Sequence, residues 1–99
     1  MTEKTRKRRQ NVAKASDLAE MLERQQYRCA LTGRELTPET ASIDHITPIK
    51  QGGAHELSNL WIVEYSANRA KHTMTYEEFL SLCRDVVRTA DEKSKPEVN

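Results

Sequence analysis

The chain has 99 residues, 36% apolar and 31% charged, so it holds one small domain at most and its core must be thin. No apolar run approaches the length of a membrane span, and the basic N-terminus lacks the apolar stretch of a secretory signal; a soluble, cytoplasmic protein is expected. Cys29 and Cys83 lie far apart, offer no disulfide framework and are expected as thiols.

The net charge of +1 conceals an asymmetry. Residues 1–14 carry Lys4, Arg6, Lys7, Arg8, Arg9 and Lys14 against Glu3, a local charge of +5, which leaves −4 on the rest of the chain. Such an arm suits phosphate contact, with a solvated tail as the plainer alternative. Val12, Ala15, Leu18, Ala19 and Leu22 recur at helical spacing, so a helix is expected from the arm, or from a cap at Ser16-Asp17, to about Gln26. Tyr27 to Leu36 reads as a short hairpin turning at Gly33. Thr37-Pro38 predicts a single helical turn.

Ala41 to Ile46 carries a strand pattern, which Pro48 ends. Gln51-Gly52-Gly53-Ala54 predicts a loop. The apolar set Leu60, Trp61, Val63, Tyr65, Ala67 and Ala70 predicts a strand leading into a helix, or a helix alone. Thr75-Tyr76-Glu77-Glu78 is a capping box opening a last helix with one apolar stripe (Tyr76, Phe79, Leu80, Cys83, Val86, Val87), expected to end near Ala90. The organisation read from this is a basic arm at 1–14, a domain at 15–90 and a polar, frayed tail at 91–99.

Chemistry concentrates around the histidines His45, His55 and His72. Asp44 adjoins His45, and Asn68 lies four residues before His72, which places that pair on one face if 66–71 is helical. Cleaving a phosphodiester calls for a base to activate water, a cation on the leaving oxygen and groups that hold the phosphate. Asp44, His45 and Asn68, with Arg69 and Lys71 nearby, supply those types. Alone, an Asp-His pair is a common surface or capping feature.

The order of the full set adds the specificity. Tyr27-Arg28-Cys29, Ile43-Asp44-His45-Ile46-Thr47-Pro48, Gly52-Gly53, Ser58-Asn59-Leu60 and Asn68-Arg69-Ala70-Lys71-His72 follow one another from Tyr27 to about Phe79. In this the chain resembles the HNH nucleases, the ββα-metal or His-Me finger endonucleases. The resemblance implies an α+β fold, a small ββα-metal core with flanking N- and C-terminal helices. It implies His45 as general base, Asp44 and Asn68 as metal ligands, and His72 as a further ligand that some members carry. Asn59, the middle residue of the motif, would steady the loop that orients the base. The implied cofactor is one divalent cation; the carboxylate favours Mg²⁺, with Mn²⁺ next, and Ni²⁺ or Zn²⁺ competing if His72 also binds. The implied substrate is DNA, with RNA a variant on which the sequence is silent.

Many members hold a structural zinc with two Cys-x-x-Cys pairs. Here these positions read Cys29 with Thr32, then Glu64 with Ala67, so no structural zinc is expected and Cys29 becomes a buried apolar residue. Trp61 is expected in the core, His55 as a loop or cap residue, and Lys50, Arg69 and Lys71 as candidate phosphate contacts alongside Arg6, Lys7, Arg8 and Arg9. So small a domain leaves little surface for reading a long site, so specificity would come from a homodimer or a larger nuclease or packaging partner. The resemblance fits phage and mobile-element settings in a bacterial cell. One competing reading is a non-catalytic nucleic-acid-binding module, which an intact Asp44-His45-Asn68 set disfavours; another is an adaptor subunit of a larger nuclease or packaging machine, for which only the uninformative tails could speak.

Overall fold

The structure, a computed structural model, describes residues 14–96. Arg6, Lys7, Arg8, Arg9 and Val12 lie outside the described residues. Helix α1 spans Ala15–Arg24, and the Asp17 carboxylate accepts from the Lys14 backbone N–H at its start (3.0 Å). It stops without a glycine, because Gln26 and Tyr27 adopt left-handed backbone angles (φ 55° and 57°) while the Tyr27 N–H returns to the Leu22 carbonyl. The chain then forms the expected hairpin, with Arg28 bridged to Glu35, and the expected turn, in which the Ala41 N–H donates to the Thr37 carbonyl.

Strand β1, Ala41–His45, pairs antiparallel with β2, Leu60–Glu64, in a two-stranded sheet. The register sets Asp44 opposite Trp61 and His45 opposite Leu60. Between the strands run a 3-10 turn at Ile49–Gln51, the glycine loop and a second 3-10 turn at Leu57–Asn59. Helix α2, Tyr65–Lys71, follows β2 directly, so the strand-then-helix alternative is the one adopted. The core gathers Leu60, Ile62 and Val63 of β2, Met21 of α1, Cys29 and Leu36 of the hairpin and Ala67 of α2, with Trp61 packed against it.

Two other features bind these layers. The Gln25 side-chain amide both donates to and accepts from the Ile62 backbone (2.8 and 3.0 Å), pairing with the outer edge of β2 as a strand would. The Cys29 Sγ accepts backbone N–H bonds from Thr32 and Glu64, while Arg34 pairs with the Glu64 carboxylate at 3.2 Å. Burial pushes the Cys29 thiol up, but these hydrogen bonds outweigh it and its pKa is lowered. This network ties the hairpin to β2.

Helix α3 spans Tyr76–Ser94, so Asp91 to Ser94 are helical where a frayed tail is expected from the sequence. Its apolar stripe is only half used. Tyr76, Phe79, Leu80 and Cys83 are partly buried, whereas Val86 and Val87 are about 60% exposed. The capping box forms as patterned: Glu78 N–H donates to Thr75 Oγ1 and Thr75 N–H to Glu78 Oε1. The Thr75 backbone bond, then the Gln51 amide, holds the Glu78 carboxyl below the ordinary glutamate range. A lowered folded-state pKa contributes stability that is present above the unfolded glutamate pKa and is lost as pH falls through the folded value. Glu78→Gln keeps the hydrogen-bonding shape and removes the charge. Its thermal midpoint should lie below the parent's at pH 7, and the gap should close as acidification protonates Glu78; a gap independent of pH would contradict this.

Candidate active site

His45 closes β1, and both strand and helix fix its backbone: its position in the ladder pairs with Leu60, and its carbonyl accepts from Lys71 Nζ at 2.9 Å. Asp44 faces the opposite side of the strand and is buried at 5% exposure. Its Oδ2 accepts from Trp61 Nε1 at 2.7 Å, and its carboxylate pairs with Lys71 Nζ at 3.1 Å to Oδ2 and 3.3 Å to Oδ1. Lys71 is fully buried. This corrects the expectation that Lys71 touches phosphate. Ala67 and Lys71 lie four residues apart on the α2 face that packs inward, so the ammonium is inside the protein, neutralising Asp44.

Asn68 projects from the same helix. Its Nδ2 donates to Ser42 Oγ (3.0 Å) and the Ile43 carbonyl (3.2 Å), leaving Oδ1 as the free acceptor among the described residues. His72 caps α2 with an N–H bond to the Asn68 carbonyl and a positive φ of 51°, an uncommon conformation for a non-glycine residue. Asp44, His45, Asn68 and His72, 28 positions apart at the extremes, line one open cleft of about 280 Å³ together with Lys50. Arg69 is exposed but lies over the Tyr65 ring, 5.7 Å from its centroid, and does not line this cleft.

The loop between the strands is bound to β1 by Asn59. Its Oδ1 accepts from Thr47 N–H, its Nδ2 donates to the Thr47 and Ala54 carbonyls (2.8–2.9 Å), and its own carbonyl accepts from Ile46 N–H. A Cβ on Gly53 would overlap the Thr47 carbonyl, and Gly52 sits at φ 91°, so the double glycine is what lets the loop close this tightly. The loop delivers His55, whose Nδ1 lies 2.9 Å from His45 Nε2. From the sequence His55 is expected only as a loop or cap residue; a histidine just past a double glycine carries no periodic signal that marks this contact.

The residues fit a hard cation. Asp44 Oδ1 has a lone pair beyond the Lys71 bond, and Asn68 supplies a neutral oxygen; so sparse a set leaves positions for water and phosphate, as Mg²⁺ prefers. Among the described residues no three His, Cys, Asp or Glu side chains form a ready-made metal cage. Lys71 beside Asp44 also lowers the charge available to the ion, which argues for weak binding in the absence of a phosphate.

A two-stranded ribbon followed by a short helix, presenting Asp44, His45 and Asn68 to one cleft, defines the ββα class of nuclease core. The family model described as HNH endonuclease matches residues 27–74, and this segment is an HNH endonuclease domain. In fold it is similar to a solved structure described as that of a type II restriction endonuclease, with a TM-score of 0.56, 16% identity and 80% of this chain aligned. The chain spans 41% of that protein's length. No curated protein matches the chain in sequence.

Proposed function

We propose that the domain hydrolyses phosphodiester bonds of DNA in a reaction that depends on a divalent cation, Mg²⁺ in the first place. The observation that carries this is the convergence of Asp44, His45, Asn68 and His72 on one cleft from β1 and α2. His45 takes a proton from water, whose oxygen attacks phosphorus as the bond to the leaving oxygen breaks. Histidine suits this because a neutral imidazole keeps one ring-nitrogen lone pair free to accept the proton. Asp44 and Asn68 would hold the cation, with His72 at the margin of the same site. When bound, that ion would supply stabilisation of the negative charge that builds up in the transition state. Asn59 acts by bracing the loop. Lys50, at the cleft, and the arm residues Arg6 to Arg9 contact phosphate, and Arg69 does so from outside the cleft.

Metal titration of plasmid nicking tests the ion site. Asn68→Ala should raise the Mg²⁺ concentration for half-maximal rate by roughly tenfold or more, since a ligand and not merely a neighbour is removed. EDTA should stop the parent. An unchanged metal requirement in Asn68→Ala would contradict the assignment.

A further inference from the structure

We propose that His55 is a positioning residue for His45, holding its ring in one tautomer and one orientation; this rests on the reading of His45 as the base. The two rings lie with centroids 5.2 Å apart, tilted by 41°, and with His45 Nε2 2.9 Å from His55 Nδ1, a hydrogen-bond distance. Two neutral imidazoles bond this way only if one nitrogen of the pair carries the proton and the other accepts it. A base must keep a free lone pair. Among the described residues no hydrogen bond engages His45 Nδ1. The arrangement that leaves Nδ1 free to accept a proton from water therefore has the proton on Nε2, donated to His55 Nδ1. A side chain that bonds one ring nitrogen in this way sets which nitrogen is available for chemistry.

The loop is built to make this contact. Asn59 Nδ2 grips the carbonyl of Ala54, the residue before His55, and Gly53 N–H donates to the Pro48 carbonyl. Gly53 also lies against Thr47 with no room for a side chain. These bonds carry His55 back to the end of β1, ten residues upstream. The contact gives the brace at Asn59 a destination: the loop ends in a group that touches the base. His45 is thus held from both sides, its carbonyl by Lys71 and its ring by His55.

The test uses the full chain labelled with ¹⁵N. Two-bond ¹H–¹⁵N correlation of the imidazoles, assigned with His45→Ala, should show His45 protonated on Nε2. His55→Ala should give a mixture of tautomers. His55→Asn, whose amide oxygen accepts near the place of Nδ1, should restore the parent state. In nicking assays at saturating Mg²⁺, His55→Ala should lower kcat by roughly tenfold, the value of one orienting hydrogen bond, with KM unchanged and His55→Asn recovering most of the loss. His45 protonated on Nδ1 in the parent, or ring signals and kcat that ignore His55→Ala, would overturn the proposal. A raised metal requirement with kcat unchanged at saturation would overturn it too, by making His55 an ion ligand. A parent that nicks nothing yet shows the expected ring signals would sink the nuclease reading and leave the positioning contact standing.

Discussion

His45→Ala is expected to slow DNA nicking by about 10²–10⁴-fold, the usual contribution of a general base, and to leave the fold in place. The two expectations separate because of where the residue sits. His45 is only half buried, and it is absent from the cluster formed by Met21, Cys29, Leu36, Leu60, Ile62, Val63 and Ala67. Apart from the ring contact with the exposed His55, its bonds are made by backbone atoms, the ladder with Leu60 and the carbonyl to Lys71, which alanine keeps. The residual rate would come from Asp44, Asn68 and the phosphate contacts, which alanine leaves untouched. Single-turnover rates on supercoiled plasmid, with a thermal melt of each protein, check both halves. A thermal midpoint that collapses with activity would make His45 a structural residue instead.

Lys71→Met should act in the opposite way, on stability first. Removing one partner of a buried ion pair leaves the other charge uncompensated, at a cost of about 3–5 kcal/mol. Asp44 would keep the Trp61 indole N–H but lose the ammonium that meets both of its oxygens, and the His45 carbonyl would lose its donor as well. Domains have only about 5–15 kcal/mol in hand, so the thermal midpoint should fall by roughly 15 °C or more. Adding Asp44→Asn to Lys71→Met should recover part of the loss, because the stranded charge is gone. A midpoint within a few degrees of the parent would show that water reaches the pair.

The periodic parts of this fold are legible in the amino-acid sequence. The capping box at Thr75 and Glu78, the strand ending ahead of Pro48, and the Tyr27–Leu36 hairpin all form as patterned, because each rests on local backbone chemistry. The candidate site is legible through the order of its motif residues. What escapes is set by tertiary packing. Lys71 reads as a surface cation beside the site, because a lysine's usual place is in water, yet Ala67 one turn earlier lies on the same buried face. His55 reaches His45 only because Asn59 and Gly53 fold the loop back, a geometry that spacing does not encode. Val86 and Val87 belong to a helix stripe that periodicity reveals, but periodicity cannot say whether anything covers it, and in the chain by itself it is exposed.

One assay bears hardest on the claim that His45, with an ion at Asp44 and Asn68, cleaves DNA. The purified chain and its His45→Ala variant are incubated in parallel with supercoiled plasmid and Mg²⁺, Mn²⁺, Ni²⁺ or Zn²⁺, each with and without excess EDTA. Open circles should accumulate with the parent and metal only. Equal nicking by both proteins, nicking that survives EDTA, or none with any of these ions would contradict the claim.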